Sequence, residues 1–272
     1  KEPFTRLLTQ GMVCKETMTC PIHGYLFPEE VVKKDDATVT CIKCDSVVEI
    51  GRVIKMSKSK KNVVDPNELL DKYGADVTRL FSLFAAPPER DLEWSEDGVE
   101  GSNRFVNKVW RLYLDGIEQL AGVEPFAGSS ADLGSVEAKK LYIKANQTIK
   151  KVTEDIDKSF HFNTAIAAVM ELVNEMSAVD AASAGEDLKR VLRFCFDKTL
   201  LLLSPILPHF CEELFELMGH SGSTLEQSWP VYREDSLESD EVLVVVQING
   251  KLRSKFTIPS GAGKQQIEST AL

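Results

Sequence analysis

The sequence has no long apolar run. Its longest largely apolar stretch, Leu200 to Leu207, falls well short of the roughly 20 residues that a membrane-spanning helix needs, and it contains Pro205. There is no internal repeat and no long low-complexity tract. Hydrophobic residues make up 43% and charged residues 27% of the 272 residues, so we expect two or three folded domains.

A net positive charge is also lacking, since 42 acidic residues outnumber 32 basic ones and the formal net charge is −10. A protein that coats nucleic acid without sequence preference is usually basic, because phosphate neutralisation drives that binding. The charge balance therefore argues against nonspecific nucleic-acid binding. It still allows a local basic patch, and one runs from Arg52 to Lys61.

The amino terminus lacks the features of a natural start. The chain begins Lys1-Glu2-Pro3-Phe4, without an initiator Met or the layout of a signal peptide. We interpret this start as a cut inside a longer chain, made for expression rather than in nature.

Two ligand pairs near the amino terminus have the spacing of a metal site. Each pair has two intervening residues, and 17 residues separate the pairs. The four candidate ligands are Cys20, His23, Cys41 and Cys44. Two such knuckles can hold a tetrahedral zinc ion, which would be structural because four protein ligands leave no open position. Cys14 is an alternative to His23 as the fourth ligand.

Other interpretations of the cysteines remain open. A disulfide pair is less favoured in a chain without a secretory signal, and a ribbon that has lost its metal is a further alternative. Cys195 and Cys211 lie on apolar helical faces, which is typical of buried core thiols. Clustered metal-binding cysteines predict a cytoplasmic protein.

Helical periodicity dominates from residue 66 to about residue 218. Asp65-Pro66 supplies an N-cap and a first-turn proline, and Gly74 is expected to end the first short helix. One-sided apolar stripes on the long helices predict an antiparallel bundle. The predicted helices span about 66–73, 75–85, 99–120, 136–158, a segment capped by Asn163, 187–203, and a last one after Pro208 that runs to about 218.

A polar stretch from Gly219 to Asp240 is expected to act as a linker to a β-hairpin at 241–258. The first hairpin strand is β-branched and apolar, and Asn249-Gly250 is typical of a type I′ turn. Because a lone hairpin is marginally stable, we interpret residues 241–272 as a truncated small domain.

The basic patch contains a lysine-rich loop. We call residues 55–61, Lys-Met-Ser-Lys-Ser-Lys-Lys, the basic loop. Chance lysines on a solvated surface are a simple alternative. However, the loop leads into a well-capped helix, and small serines separate lysines whose flexible stems suit a loop that closes on a polyphosphate.

The basic loop resembles a known motif. Its first five residues, Lys55-Met56-Ser57-Lys58-Ser59, are identical to the signature loop of class I aminoacyl-tRNA synthetases. The residues after it resemble the leucine, isoleucine, valine and methionine enzymes at Lys61-Asn62, Asp65-Pro66 and Tyr73-Gly74-Ala75-Asp76. Later pieces resemble the leucine enzymes in particular. Those pieces are Leu92-Glu93-Trp94, Gly98-Val99-Glu100-Gly101, Arg104-Phe105, Val109-Trp110, Phe162-Asn163-Thr164-Ala165, Trp229-Pro230 and Val246-Gln247-Ile248-Asn249-Gly250-Lys251.

The resemblance implies a reaction and a set of site residues. Leucine and ATP would form an adenylate, with Mg²⁺ as the phosphate counter-ion, and the leucyl group would pass to tRNA(Leu). Lys55 and Lys58 would hold the leaving phosphates, while Met56, Ser57 and Ser59 shape the ATP-binding loop. The family's His-Ile-Gly-His motif is absent from the 272 residues, so we expect this piece alone to be inactive.

The resemblance also implies a division into parts. The fold expectation is mainly α: an anticodon-binding-type antiparallel bundle, with a zinc-ribbon-like β insertion before it and a β-hairpin after it. The expected parts are the end of a catalytic scaffold (1–12), the insertion (13–51), the signature-loop and stem-contact region (52–92), the helical tRNA-binding domain (93–232) and a truncated C-terminal domain (241–272).

Several RNA contacts are candidates on the same basis. Arg104, Lys108 and Arg111 could meet tRNA phosphates, as could Lys251, Arg253 and Lys255 on the hairpin, although each could equally be a solvated charge. Trp94 and Trp110 are expected to be packing residues. We expect a monomer. The alternatives are a non-catalytic RNA-binding module and a related ligase for isoleucine, valine or methionine.

Overall fold

A three-stranded sheet brings distant parts of the sequence together near the amino terminus. A computed structural model of the chain describes residues 7–35, 38–238, 241–249, 251–259, 261 and 263–271. Strand β1 (Val13–Lys15) lies at the centre of a sheet whose other strands come from residues 54–55 and 92–93. This sheet positions the basic loop and is completed below.

Five short strands between residues 18 and 50 form what we call the Cys/His module. They are β2 (Met18–Cys20), β3 (Gly24–Leu26), β4 (Val31–Lys33), β5 (Val39–Cys41) and β6 (Glu49–Ile50). Antiparallel pairing gives one sheet in the order β3-β2-β6 and a second β4-β5 pair. The buried core of the module is Cys20, Leu26, Cys41 and Val48. Small folds with an apolar core of this size are generally held by a further cross-link.

Strands β7 (Ile54–Lys55) and β8 (Leu92–Glu93) complete the sheet around β1. Strand β7 pairs antiparallel with β1, and β8 pairs parallel with it, which gives the order β7-β1-β8. The basic loop therefore begins at Lys55, on the edge strand of a sheet rather than in an unanchored segment.

Helix α1 (Pro66–Phe84) shows the predicted start and the predicted break. The Asp65 carboxylate accepts a hydrogen bond from the Asn67 amide, and Pro66 occupies the first turn. Gly74 adopts φ 80° and ψ 167°, which is not helical. The two predicted helices are thus one element with a sharp kink at Gly74, a backbone conformation that favours glycine.

Five further helices pack around one large core. They are α2 (Glu96–Leu120), α3 (Val136–Glu154), α4 (Phe162–Ser177), α5 (Glu186–Leu203) and α6 (Pro208–Leu217). We call residues 96–218 the helical bundle. The predicted stripes are buried, including Ile149 on α3, Val169 on α4 and Leu192 on α5. Gly219, at φ 82°, follows the last helix as expected.

Two predicted helix boundaries were wrong. Helix α2 begins at Glu96 rather than at about Val99, because the Ser95 hydroxyl accepts from the Gly98 amide and caps an earlier turn. Asn163 does not cap α4, which begins at Phe162 without a side-chain cap. The Asn163 Oδ1 atom is instead buried without a hydrogen-bond partner among the described residues.

The predicted end of the 136–158 helix also differs. Regular α-helix stops at Glu154, and Asp155–Ser159 forms a π-helical turn. The Asp155 carboxylate accepts from Lys151 Nζ at 2.7 Å and from the Thr164 hydroxyl at 2.5 Å. These bonds, together with the bond from the His161 amide to the Asp155 carbonyl, hold the wider turn in place.

Residues 219–238 are not a free linker. The Ser236 side chain is fully buried, and its hydroxyl accepts from the Ser130 amide at 3.0 Å. Gln147 on α3 donates to the Leu237 carbonyl at 2.8 Å. This stretch therefore packs along the bundle, since its polar groups find partners there rather than in solvent.

The hairpin is present as β9 (Glu241–Ile248) and β10 (Lys251–Pro259), followed by α7 (Lys264–Ala271). Ile248 pairs with Lys251 and Asn249 has φ 52°, in keeping with the predicted turn, while Gly250 lies outside the described residues. A register shift between Leu252 and Ser254 marks a bulge. Within the described ranges, no helix is both long and apolar enough to span a bilayer.

The bundle core offers a matched test of this packing. Leu172 on α4 is 0% exposed, whereas Leu114 on α2 is 43% exposed. We expect Leu172→Ala to lower the free energy of unfolding by about 2–5 kcal/mol through lost burial and a cavity. Leu114→Ala should cost less than about 0.5 kcal/mol. Urea unfolding followed by helical circular dichroism measures both, and equal losses would contradict the packing.

Candidate functional site: the basic loop and the Cys/His cluster

The basic loop is tied to strand β1 where it begins. Lys55 pairs with Cys14 of β1, and the Met56 amide donates to the Val13 carbonyl at 3.0 Å. Residues 58–60 then form a 3₁₀ turn, and Lys61 adopts a left-handed conformation with φ 55°. The loop thus leaves the sheet, makes one tight turn and comes back.

One buried side chain holds both ends of the basic loop. Asn62 is 3% exposed, and its Oδ1 atom accepts from the Ser57 amide at 2.9 Å. Its Nδ2 atom donates to the Lys15 carbonyl at 3.0 Å and the Ile54 carbonyl at 3.2 Å, with the Lys55 carbonyl at 3.4 Å. The sequence comparison included Asn62 only as part of the motif that follows the loop.

The two predicted phosphate-binding lysines are available to a ligand. Lys55 and Lys58 are exposed, and neither has an ion-pair partner among the residues that the structure describes. The Ser57 and Ser59 hydroxyls lie 3.3 Å apart on the same turn. The arrangement presents two free ammonium groups beside small hydroxyl side chains, which suits an anionic ligand.

The four predicted metal ligands converge. The ligand atoms of Cys20, His23, Cys41 and Cys44 all lie within 4.8 Å of one another. His23 Nδ1 is 3.5 Å from Cys20 Sγ and 3.6 Å from Cys41 Sγ, and the Cys20 and Cys44 sulfurs are 3.6 Å apart. Cys14 lies in strand β1, in the sheet that carries the basic loop, and is not a member of this cluster. The structure therefore favours His23 as the fourth ligand.

These separations fit a tetrahedral zinc site. Zn–S and Zn–N bonds of about 2.3 and 2.0 Å place tetrahedral ligand atoms about 3.5–3.8 Å apart. The local turns are those of metal knuckles: the Ile22 amide donates to Cys20 Sγ at 3.4 Å, and Gly24 takes φ 70° directly after His23. Three thiols and an imidazole are a borderline-soft donor set that zinc prefers.

Two cysteines of the cluster differ in their electrostatic surroundings. Hydrogen bonds from the Ser46 hydroxyl and amide lower the pKa of Cys44 to about 6. Burial raises the pKa of Cys41. Of these two cysteines, Cys44 is therefore the more easily converted to the thiolate, which is the form that zinc binds.

Glu30 connects the Cys/His module to the basic loop. Its carboxylate forms an ion pair with Lys43, which lies between Cys41 and Cys44, and another with Lys61, whose Nζ atom is 2.9 Å away. The hydrogen bond to Lys43, followed by those from the Phe27 amide and Lys61, lowers the pKa of Glu30 to about 2. The sequence patterns did not identify Glu30. Its one local signal is its position three residues after Phe27, which is that of a glutamate capping the start of a helix.

The predicted RNA-facing cations lie on solvent-facing surfaces. Arg104, Lys108 and Arg111 are exposed on α2, and Lys108 Nζ donates to Asn174 Oδ1 at 2.6 Å. The hairpin cations Lys251, Arg253 and Lys255 are exposed as well. Both groups are distant in sequence from the basic loop.

The two tryptophans predicted to be packing residues and the two cysteines predicted to be core thiols have those roles in the structure. Trp94 packs edge-on against Phe81 at 5.0 Å, and Trp110 packs against Phe210 at 5.9 Å. Cys195 and Cys211 are buried in the bundle, and burial raises the pKa of both thiols. Neither cysteine is therefore a reactive group.

Two family profiles match the chain. The profile of the anticodon-binding domain of tRNA ligase matches residues 138–268, which include most of the bundle. The profile of class I tRNA synthetases for isoleucine, leucine, methionine and valine matches residues 26–95, which include the basic loop. The boundary between the profiles falls inside the helical region, after the sheet that carries the loop.

Individual relatives indicate which of the class I tRNA ligases this chain resembles. The leucine–tRNA ligase of Desulforapulum autotrophicum is 59% identical to this chain, and the leucine–tRNA ligase of Desulfatibacillum aliphaticivorans is 58% identical. Both matches extend over 272 residues, which are 100% of this chain and 31% of each relative. A crystal structure of the ternary complex of Agrobacterium radiobacter K84 agnB2 LeuRS, tRNA and LeuAMS matches with a TM-score of 0.64 at 30% identity, covering 79% of this chain and 27% of that one. The chain, which spans about a third of the length of these curated relatives, belongs to the leucine–tRNA ligase family of class I tRNA synthetases.

Proposed function

We propose that this chain is the part of a leucine–tRNA ligase that supplies the ATP-phosphate loop and a tRNA-binding helical domain. The whole enzyme would join leucine to tRNA(Leu) with cleavage of ATP to AMP and diphosphate. The observation that carries the proposal is the exposed pair Lys55 and Lys58, on a loop fixed to a sheet edge, in a chain 59% identical to such a ligase. A cytoplasmic location and a monomeric state are part of the same proposal.

The basic loop would act on the leaving phosphates. Attack of the leucine carboxylate on the α-phosphorus breaks the bond to the β,γ-diphosphate, and negative charge grows on that leaving group. Lys55 and Lys58, as compact cations on flexible stems, would neutralise this charge together with Mg²⁺. Met56, Ser57 and Ser59 would shape the ATP-facing side of the loop.

The remaining groups for adenylate formation would come from the rest of the enzyme. The 272 residues contain no His-Ile-Gly-His motif and only four histidines. His23 lies in the Cys/His cluster, His209 contacts Asp76 on α1, and His220 contacts Asp197 on α5. We therefore propose that the chain works only within the full-length enzyme.

The relatives favour leucine over the alternatives. Both relatives named above carry leucine–tRNA ligase as their name, and their similarity extends over the whole chain. A non-catalytic RNA-binding module has no need of an intact signature loop. The relatives named above do not favour a ligase for isoleucine, valine or methionine.

The Cys/His cluster would hold a structural zinc ion. The support is the ligand separations, the knuckle turns and the four-residue apolar core of the module. Zinc would supply a cross-link between residues 20–23 and 41–44, and it would have no open position for chemistry. Because Glu30 connects this module to Lys61, the zinc-ribbon-like fold would support the basic loop.

The helical bundle would bind tRNA through its exposed cations. The anticodon-binding profile covers most of the bundle, and Arg104, Lys108 and Arg111 share one exposed side of α2, opposite the buried Phe105 and Val109. Phosphate contacts of this kind contribute affinity in a salt-dependent way. The hairpin cations are a second candidate surface.

The loop proposal is tested in the full-length ligase. Lys58→Ala should lower kcat for leucine-dependent pyrophosphate exchange by about 10²-fold, because one charge stabiliser of the transition state is lost. Lys55→Ala should also lower it. Lys140→Ala, an exposed lysine on α3, is the control and should leave the rate unchanged. Normal exchange in a protein lacking both loop lysines would refute the proposed role.

The zinc proposal is tested by metal analysis after purification without added zinc. We expect one zinc ion per chain, and Cys41→Ser should lose it because a buried thiolate ligand is removed. Cys14→Ser is the matched control and should keep full occupancy, since Cys14 lies in β1. Equal metal loss in both variants, or no metal in the parent chain, would contradict the assignment.

The tRNA surface is tested by separating the two steps of the reaction. Replacing Arg104, Lys108 and Arg111 together by alanine should raise the KM for tRNA and weaken its salt dependence, since phosphate contacts are removed. Pyrophosphate exchange, which needs no tRNA, should stay unchanged. A triple variant with normal tRNA kinetics across a salt series would show that these cations are solvated surface charges.

A further inference from the structure

The basic loop contains flexible lysines, yet its two ends meet at one rigid point. Asn62 is 3% exposed and directly follows the loop. Its carboxamide contacts Ser57 within the loop, Lys15 on β1 and Ile54 on β7. A single side chain thus joins three parts of the fold: strand β7, which leads into the loop, the first turn of the loop, and β1, the central strand of the sheet.

We propose that Asn62 is a positioning residue, which sets where the basic loop stands and so brings Lys58 to the phosphates. This inference rests on the proposed ATP-binding role of the loop. A loop that must close on a ligand needs a fixed base, because a small rotation at the base becomes a large displacement at the tip. A misplacement of about 1 Å at a reacting group can cost about 10²-fold in rate.

The chemistry of the site requires a carboxamide. The Ser57 amide needs an acceptor, and the carbonyls of Lys15, Ile54 and Lys55 present oxygens that need a donor. Asparagine offers both on one short side chain. Aspartate would keep the acceptor but point negative charge at carbonyl oxygens, and an apolar residue would leave the Ser57 amide without its partner.

The neighbouring backbone adds to the need for a fixed base. Lys61, immediately before Asn62, has φ 55°, a left-handed conformation that is uncommon for a side-chain-bearing residue. The surrounding contacts must hold this conformation in place. Asn62 on one side and the Lys61–Glu30 ion pair on the other are two of these contacts.

A second buried asparagine provides a matched control. Asn146 on α3 is 0% exposed, its Nδ2 atom donates to the Tyr142 carbonyl at 2.9 Å, and its Oδ1 atom accepts from the Arg233 amide at 2.9 Å. Like Asn62, it uses both ends of its carboxamide on backbone groups. It lies in the helical bundle, on an element that carries no part of the loop.

The experiment compares Asn62→Asp, Asn62→Ala and Asn146→Asp in the full-length ligase. Both Asn62 variants should lower kcat for pyrophosphate exchange by at least about tenfold, as expected for a misplaced charge stabiliser. Their KM for leucine should stay unchanged, and amide hydrogen exchange of residues 56–61 should accelerate while exchange in the bundle does not. Asn146→Asp should lower Tm and leave the kinetics of activation unchanged.

Two outcomes would overturn the inference. One is a normal kcat in both Asn62 variants. The other is a loss of kcat that follows the loss of Tm alone, with the leucine KM rising in parallel and Asn146→Asp showing the same loss. That result would mean that Asn62 only stabilises the fold. The lysine variants separate this result from failure of the proposed function: if the unmodified ligase exchanges pyrophosphate with leucine and Lys58→Ala slows that exchange, the loop's assignment stands whatever the Asn62 variants do.

Discussion

Strand β1 is the point at which the three parts of the chain meet. Cys14 pairs with Lys55 on one side and with Glu93 on the other, and its carbonyl accepts from the Trp94 amide at 2.8 Å. The next residue, Ser95, caps helix α2. Three residues of backbone therefore fix the base of the basic loop and the entrance to the bundle relative to one another. The Cys/His module begins directly after β1, at Met18.

This junction makes a loop of few contacts geometrically precise. Backbone hydrogen bonds from β1 hold Met56, and the Asn62 carboxamide holds Ser57. Residues 58–61, between Ser57 and Asn62, form one short turn, so the lysine stems rather than the backbone supply the reach. Buried, fully paired polar groups specify one arrangement because each alternative leaves a donor or an acceptor unpaired.

Local patterns predicted the helices and the convergence of the four Cys/His side chains, because both depend on spacing within short stretches of sequence. The stripes of α3 to α5 are buried, and Asp65 with Pro66 begins α1 as expected. Asn163 misled because an asparagine before an apolar run suggests a cap, whereas the chain reverses at the π-helical turn and enters α4 two residues earlier, with His161 in the cap position. The packing of residues 219–238 also depends on partners more than 80 positions away, such as Gln147 for Leu237 and Ser130 for Ser236.

The role of Glu30 could not be predicted from spacing, and it explains which lysines are available in the basic loop. Lys61 pairs with Glu30 and lies 4.9 Å from the centre of the Phe27 ring, and Lys60 lies 5.8 Å from the Tyr25 ring. Cation–π and charge contacts of this kind occupy an ammonium group. The module thus engages the two lysines at the end of the loop and leaves Lys55 and Lys58 facing solvent. Composition alone cannot separate these four lysines, because they differ only in which neighbours the fold places beside them.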